Sequence, residues 1–252
     1  MNLFISDLDN TMIYSYKKDI GSDKVLVETK DGKHLSFMTK KSYDLLNIIR
    51  TKYLFVPATT RSLEQYRRIK FNQNYEPKLA LVTNGGNLLY KNKIDNKYHL
   101  DSLKLIEIAA EQLSAAIKLL KVDKHVSFEV RMVDELFAFT KSDDLSYTIE
   151  NLKDKLDLSL VDVLSNGSKV YVIPKSLNKG VAVNRIKEFT GIDYAFCAGD
   201  SEFDIPMLLE SDLAFVPDNL SKNSKLKDVN LMIAEGDNIF SDYILSNLKL
   251  KM

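Results

Sequence analysis

The sequence has few of the residues that build disulfide frameworks and zinc sites. It contains a single cysteine, Cys197, so no internal disulfide can form. Cys197 lies in an apolar run, where a packed core thiol is more common than a reactive one. The three histidines, His34, His99 and His125, are scattered along the chain. Because His and Cys are not clustered, a zinc-type site is excluded.

The sequence also lacks an excess of charge of one sign, and it has no long apolar runs. Lys plus Arg and Asp plus Glu each number 35, so the formal net charge is zero, which argues against a nucleic-acid partner bound through a strongly basic surface. No stretch approaches the roughly 20 apolar residues that cross a bilayer. The N-terminus lacks a cationic segment followed by a long apolar run. We therefore expect a cytoplasmic protein with no membrane partner, and its length allows one large domain or two smaller ones.

The residues that are present are most informative at the start of the chain. Leu3 to Ile5 is an apolar run of the length of a buried parallel strand, and Asp7 and Asp9 follow it. On extended backbone this spacing aims both carboxylates in the same direction. In an open α/β sheet the ligand crevice lies at the carboxyl ends of the strands. The pair therefore suggests a nucleophile and a proton-transfer partner, and an acidic turn after a surface strand is the alternative.

Strand and helix patterns alternate in two parts of the chain and predict a parallel sheet there. Apolar runs predict further strands at 54–58, 79–83, 194–198, 213–216 and 229–234. Helical periodicity predicts helices at 43–49, from about 62 past Arg68, from about 178 to 190, from 205, and at 238–249. Before the first helix, two strand patterns flank Asp31-Gly32, a hairpin-turn signal. Residues 12–38 are therefore expected to form a flap beside the Asp7 crevice.

The alternation is interrupted after Asn84-Gly85-Gly86. The following patterns predict a hairpin-like segment at 88–100, helices near 102–120 and 143–156, and strands at 126–133, 136–140, 158–164 and 169–173. Two helices laid across a small, mostly antiparallel sheet form an α+β unit. We therefore predict an inserted domain at 87–174 and a core domain made of 1–86 and 175–252.

Two further segments carry residues suited to an anion. Thr59-Thr60-Arg61 lies at a strand-to-helix junction, where free amides and the helix dipole favour negative charge. Thr59 is also an ordinary residue type for starting a helix. Lys179 opens a helix against the preference of the helix dipole. This position suggests a bound anion or a carboxylate neighbour, and a solvated surface lysine is the alternative.

In a parallel sheet the residues at the strand ends converge on one crevice. Asp200 ends another predicted strand, and Asp204 follows one helical turn later. Together with Asp7 and Asp9 they would place four carboxylates close together, where they repel strongly and one lysine cannot compensate them. A hard dication with oxygen ligands can do so. The sequence therefore predicts a metal at this crevice.

These motifs, in this order, resemble the haloacid dehalogenase (HAD) superfamily, specifically its capped Cof-type phosphatases of the sucrose-phosphatase-like kind. The resemblance spans nearly the whole chain. It rests on Asp-Leu-Asp-Asn-Thr at 7–11 (nucleophile motif), Thr59 (phosphate-binding threonine), Asn84-Gly85-Gly86 (loop into the cap), Lys179-Gly180 (lysine motif), and Gly199-Asp200 with Asp204 (acidic motif). Asn10, Thr60 and Phe203 stand where the family usually has Gly, Gly and Asn, which leaves the subfamily and substrate open.

The resemblance implies a fold and a reaction. The implied fold is α/β, with a Rossmann-like parallel-sheet core, an inserted α+β cap of the C2 type and a β-hairpin flap. The implied enzyme is a Mg²⁺-dependent phosphomonoester hydrolase in which Asp7 forms an aspartyl-phosphate and Asp9 serves as general acid and base. The catalytic residues would be Asp7, Asp9 and Lys179. The metal would be held by Asp7, Asp9 (through its carbonyl), Asp200 and Asp204. The substrate phosphate would be bound by Thr59, Thr60, Arg61, Asn84 and Lys179.

The expected partner is a small phosphate monoester, a sugar or polyol phosphate, bound by a monomer or homodimer. The inserted domain is expected to select it, with Glu129, Arg131, Lys141 and Tyr171 as candidate contacts. A phosphorylated cofactor such as pyridoxal phosphate or FMN is the alternative substrate. A phosphomutase or phosphotransferase would use the same residues. A non-catalytic phospholigand-binding module is disfavoured because Asp7 and Asp9 are both present.

Overall fold

The computed structural model describes residues 1–71, 75–236 and 238–252, which group into two compact units. The core unit comprises Met1–Ile94 and Lys179–Met252, and the cap unit comprises Asp95–Asn178. From the sequence we expected an inserted domain at 87–174. These domain boundaries remain a prediction. Among the described residues, no helix combines the length and apolar character that a bilayer crossing requires.

The core unit is built on a five-stranded sheet in which every neighbouring pair is parallel. Its strands are β1 (Asn2–Ser6), β5 (Tyr53–Pro57), β13 (Ala195–Ala198), β14 (Leu213–Pro217) and β15 (Leu231–Ala234). The order across the sheet is β15-β14-β13-β1-β5. The inner strands are buried on both faces, as their unbroken apolar runs predict. The predicted α/β class is confirmed.

The predicted flap is an antiparallel hairpin with one added strand. It consists of β2 (Tyr14–Ser15), β3 (Lys24–Lys30) and β4 (Lys33–Thr39), in the order β2-β4-β3. Asp31 and Gly32 form the turn with φ of 50° and 74°, the left-handed conformation that a tight hairpin needs. Val27 and Met38 are buried in the same apolar cluster as Phe4 of β1, so the flap packs onto the core.

A second small sheet in the core unit is antiparallel. It consists of β6 (Leu79–Val82), β7 (Asn87–Tyr90) and β8 (Lys93–Ile94), in the order β6-β7-β8. Residues 79–83 were expected to add a strand to the parallel sheet. A single parallel bridge between Ala58 and Leu81 joins β6 to it, while the full pairing of β6 is with β7.

Most helices of the core unit lie near the expected positions. They are α1 (Lys40–Ile49), α2 (Leu63–Tyr66), α6 (Lys179–Thr190), α7 (Ile205–Leu209), α8 (Asp218–Ser221) and α9 (Phe240–Leu250). The exceptions are α8, which was not predicted, and α2, which is shorter than expected. The prediction that α2 continues past Arg68 is wrong. After Tyr66 the chain turns and joins the flap, where Lys70 N donates to Val27 O at 2.7 Å. This tertiary hydrogen bond replaces further helical turns.

The cap unit is an α+β layer pair. Its sheet has the order β11-β12-β10-β9 and is antiparallel throughout. The strands are β9 (Arg131–Val133), β10 (Phe137–Lys141), β11 (Val161–Asn166) and β12 (Lys169–Pro174), and the helices are α3 (Asn96–Ile106), α4 (Ala110–Val122) and α5 (Leu145–Lys153). The helical region begins at Asn96, earlier than the expected 102, because Asp95 caps it by accepting from Tyr98 N.

Candidate active site

The site lies at the carboxyl end of β1, between β13 and β5. Both neighbours run parallel to β1 and stay in register with it up to Ser6. Asp7 N continues the ladder by donating to Ala198 O at 2.9 Å. Asp200 and Thr59, which follow the neighbouring strands, therefore reach the same edge of the sheet as Asp7.

Lys179 is buried at this edge and joins two of the predicted acids. Its Nζ donates to Asp7 Oδ1 at 2.5 Å and to Asp204 Oδ1 at 2.6 Å. The Lys179 side chain is 1% exposed and the Asp204 side chain is 0% exposed. Burial acts to lower the pKa of Lys179, but Asp204 and Asp7 outweigh it and hold the pKa above its ordinary value. Lys179 is therefore charged, and it has carboxylate neighbours rather than solvent around it.

The turn after β13 fixes Asp204. Its Oδ2 accepts hydrogen bonds from Asp200 N at 3.0 Å, Ser201 N at 3.1 Å and Ser201 Oγ at 3.0 Å. Gly199 is required here, because a Cβ at that position would lie 2.3 Å from Asp204 Cβ. With Oδ2 held by the turn, Asp204 presents Oδ1 to Lys179.

Asp7, Asp200 and Asp204 form a group in which one oxygen of each lies within 4.8 Å of the others. Burial raises the pKa of Asp7 well above its ordinary value; Lys179 opposes this, while Asp204 and Asp200 add to it. We call these three acids and the lysine the Lys179 group. Three carboxylates face a single ammonium in this group, so the lysine alone does not balance the acids.

Asp200 shows the same imbalance. Burial, followed by repulsion from Asp204, raises its pKa to about 6, although Thr11 stabilises the charged form by donating from Oγ1 to Asp200 Oδ1 at 3.0 Å. A cation bound among these acids would remove the imbalance. All the donors are carboxylate oxygens, the ligand type of hard cations such as Mg²⁺. The residues present therefore fit the expected metal.

Asp9 lies outside that group of three acids. Arg61 holds it with two hydrogen bonds, from Nε to Oδ2 and from Nη2 to Oδ1, both at 2.7 Å. Such a planar, two-point pair fixes orientation as well as distance. The Asp9 side chain is 48% exposed and that of Arg61 is 13% exposed. Arg61, expected to bind the substrate phosphate, thus binds a carboxylate of its own chain.

A further carboxylate, Glu28 on the flap, lies at another edge of the Arg61 guanidinium. Glu28 Oε1 is 2.9 Å from Arg61 Nη1 and 3.2 Å from Arg68 Nε. We describe both contacts as ion pairs, because neither nitrogen has a partner in hydrogen-bond geometry. Ser36 Oγ donates to Glu28 Oε2 at 2.7 Å. We call Asp9, Glu28, Arg61 and Arg68 the Arg61 group.

Sequence reasoning missed Glu28 because a β-bulge hides it. The pairing of β3 with β4 shifts register on both sides of Glu28, so Val27 and Glu28 are both buried although they are adjacent. Strict alternation would place one of them in solvent. The signal available in the sequence is an acid inside an apolar strand run, together with arginines at 61 and 68.

Thr59 and Asn84 are buried next to each other at the start of α2. Asn84 N donates to Thr59 O at 2.9 Å, and Thr59 Oγ1 accepts from Arg61 N at 3.2 Å. The side-chain cap of α2 is Ser62, which accepts from Gln65 N, so Thr59 is not the capping residue. Thr60 is partly buried beside them. The phosphate-binding role of Thr59, Thr60 and Asn84 stays a prediction.

The four candidate contacts in the cap unit have partners of their own. Glu129 and Arg131 form an exposed ion pair at 2.7 Å. Arg131 and Lys141 lie over the Phe128 ring, 4.8 Å and 5.2 Å from its centroid. Tyr171 is buried, and its ring centroid is 5.2 Å from that of Phe139. Their role in substrate selection stays a prediction.

Residues 93–235 match the family model of haloacid dehalogenase-like hydrolases. The chain belongs to this family. The matched segment includes Lys179, Asp200 and Asp204, the residues that meet at the end of β1. The resemblance to the haloacid dehalogenase superfamily is confirmed, and so is the prediction of a hydrolase of this family.

Solved structures share the fold over nearly their whole length. Sucrose-phosphatase from Synechocystis, in complex with sucrose and phosphate, has a TM-score of 0.67 at 16% identity, with 98% of each chain covered. A Thermoplasma acidophilum protein has a TM-score of 0.62 at 15% identity, with 99% of each chain covered. Aspergillus fumigatus trehalose-6-phosphate phosphatase has a TM-score of 0.54 at 12% identity, covering 98% of this chain and 92% of that one. Among curated proteins, no sequence matches this chain significantly.

Proposed function

We propose that this HAD-type phosphatase is a Mg²⁺-dependent phosphomonoester hydrolase that works through an aspartyl-phosphate on Asp7. The observation that carries the proposal is the buried Lys179 group. In it Lys179 holds Asp7 at 2.5 Å among an excess of carboxylates. A nucleophile, a fixed cation and acids suited to a hard metal ion thus meet at one strand end. Phosphoryl transfer needs these parts in one place.

In the first step Asp7 attacks phosphorus. Lys179 holds Oδ1 of Asp7 and so orients the carboxylate. The new bond joins an Asp7 oxygen to phosphorus, the ester P–O bond breaks, and Asp9 gives a proton to the leaving oxygen. In the second step Asp9 takes a proton from water and the water oxygen bonds to phosphorus. The bond between the Asp7 oxygen and phosphorus breaks, which regenerates the Asp7 carboxylate and frees inorganic phosphate.

Asp7, Asp200 and Asp204 are the side chains that would hold Mg²⁺, with the Asp9 carbonyl as the further ligand that the family pattern suggests. When bound, the ion would offset charge on these acids and on the transferring phosphoryl group. Thr59, Asn84 and Lys179 are the residues proposed to hold the remaining phosphoryl oxygens.

The proposed substrate is a small sugar or polyol phosphate. The similarity in fold to a sucrose-phosphatase and a trehalose-6-phosphate phosphatase supports this class. The charged side chains of the cap unit, Glu129, Arg131 and Lys141, suit a polar ligand. Cytoplasmic location and oligomeric state remain predictions.

The test is phosphate release from nitrophenyl phosphate by the full chain, with Mg²⁺ and after chelation. We expect release only with the ion, and acid quenching should trap one phosphoryl group on the peptide that carries Asp7. Full activity after exhaustive chelation, or a phosphoryl group on another residue, would contradict the proposal. A panel of sugar, polyol, pyridoxal and flavin phosphates then ranks substrates. Added polyol that becomes phosphorylated would instead identify a phosphotransferase.

A further inference from the structure

We propose that Glu28, on the flap, is a positioning residue for proton transfer: it anchors Arg61, and Arg61 in turn orients the Asp9 carboxylate. The inference rests on the proposed role of Asp9 as general acid and base. Glu28 belongs to none of the family motifs identified in the sequence, and it comes from the hairpin inserted after β1.

The geometry is a chain of two ion pairs through one guanidinium. Arg61 uses Nε and Nη2 for Asp9, both at 2.7 Å, and Nη1 for Glu28 at 2.9 Å. A guanidinium is planar and rigid, so carboxylates at two of its edges restrict its rotation and translation. Without Glu28, Arg61 would be held by its own flexible stem and by Asp9, the group it has to orient.

The backbone around Glu28 fixes the position of its side chain. The bulge in β3 turns Glu28 inward, where its side chain is 2% exposed. Its backbone bridges to Ile69, and the adjacent Lys70 N donates to Val27 O at 2.7 Å. The flap is thus tied to the segment that follows α2, and Arg61 comes just before Ser62, the capping residue of α2. All of these contacts lie within the core unit.

The burial of the Glu28 carboxylate suggests that this side chain has a specific role. A buried carboxylate is costly unless it is paired and hydrogen-bonded. Glu28 meets this condition with Arg61, Arg68 and Ser36. One explanation is that the cluster only fastens the flap. Arg68 separates the two explanations, because it pairs with Glu28, whereas the two-point pair with Asp9 is made by Arg61.

Comparing esters with different leaving groups tests the positioning role, because a merely structural role of Glu28 would not change their relative rates. Nitrophenolate departs with little help from an acid, whereas an alkyl phosphate such as glycerol phosphate needs a proton on its leaving oxygen. A displaced Asp9 should therefore slow alkyl esters selectively. General acid catalysis is worth roughly 100- to 10,000-fold, so partial loss of orientation should cost about 10-fold on the alkyl ester.

The experiment measures kcat and KM for both esters in wild type, Glu28→Gln and Arg68→Gln. For Glu28→Gln we expect kcat/KM to fall about 10-fold on glycerol phosphate and no more than about 2-fold on nitrophenyl phosphate. The comparison uses kcat/KM because it reports formation of the aspartyl-phosphate and excludes the water step, which both esters share. Arg68→Gln is the matched control, because it perturbs the same buried cluster and leaves the Asp9–Arg61–Glu28 chain intact. Its ratio of the two kcat/KM values should equal that of wild type.

Glu28→Asp covers the case in which Glu28→Gln fails to fold, since it keeps the buried charge and shortens the reach to Arg61. It should show the same selective loss, at a smaller size. Equal losses on both esters, or the same change of ratio in Arg68→Gln, would assign Glu28 a structural role and overturn the proposal. Asp9→Asn is measured alongside. If that variant lacks the selective loss, the proposed role of Asp9 fails, a result separate from the one for Glu28.

Discussion

The Lys179 group and the Arg61 group start two residues apart on the chain, at Asp7 and Asp9, and differ in charge balance. The Lys179 group sets three carboxylates against one ammonium. The Arg61 group sets two carboxylates against two guanidiniums. Buried charge is costly unless it is paired or coordinated. The first group is therefore electrostatically incomplete without a cation, while the second is balanced by the protein alone.

This difference assigns the two groups different tasks within the proposed reaction. The unbalanced group suits a site that takes up a metal ion and an anionic phosphoryl group, because both change its charge. The balanced group suits a fixed support that orients the Asp9 side chain. Four predictions test this comparison.

The largest effect is expected from Asp7→Asn. The amide has nearly the same shape and cannot form an aspartyl-phosphate, so we expect activity to fall by roughly 10⁵-fold or more, as for removal of other catalytic nucleophiles. Phosphate release measures the loss, and circular dichroism checks the fold. Near-wild-type release of phosphate would show that Asp7 is not the nucleophile.

Asp9→Asn should reduce kcat by roughly 100- to 10,000-fold. The reason is that the leaving oxygen loses its proton donor while the phosphate-binding residues stay in place, so KM should change little. The measurement is steady-state kinetics with alkyl and aryl esters. A rise in KM with unchanged kcat would instead place Asp9 in substrate binding.

Asp200→Asn should weaken the binding of Mg²⁺. We expect the Mg²⁺ concentration for half-maximal activity to rise by more than the roughly 10- to 100-fold typical of residues that only support a ligand. For Asp204→Asn we expect a smaller rise, within that range, because Lys179 and the turn after β13 already engage both Asp204 oxygens and leave it a smaller share in holding the ion. Titration of activity with Mg²⁺ measures both, and equal midpoints in all three proteins would argue against a metal in the Lys179 group.

The smallest effects, on the stability of the metal-free protein, should have opposite signs in the two groups. Asp200→Asn removes one of the excess acids and should raise the free energy of unfolding. Glu28→Gln leaves two arginines partly buried beside a single acid and should lower it by about 3–5 kcal/mol, the usual cost of breaking a buried ion pair. Denaturant unfolding with chelator present measures both. The core substitution Ile244→Val, at a fully buried position, is the reference for simple packing loss. Changes of the same sign would contradict the difference in charge balance.

Much of the core fold follows from local sequence patterns. The apolar runs at Leu3 to Ile5 and 195–198 are inner strands of the parallel sheet, as predicted, because strands buried on both faces need unbroken apolar residues. The turn at Asp31-Gly32 is equally local, since its left-handed backbone is set by those two residues. The end of α2 was not predictable in this way, because it depends on a hydrogen bond to Val27, which is distant in the chain. The partner of β6 is local: it is β7, the next strand, across the turn that was interpreted as the loop into the insert.

The sequence by itself determined that Asp7 and Asp200 meet, because residues that follow neighbouring parallel strands reach the same edge of the sheet. Only the tertiary structure decided which acid pairs with which cationic side chain. Asp9 pairs with Arg61 rather than joining the other acids. Glu28 faces Arg61 because a bulge in β3 breaks the two-residue alternation and turns an acid inward. Alternation is a property of one strand, whereas a bulge and the ion pair it allows arise from the pairing of strands and the packing of the flap onto the core.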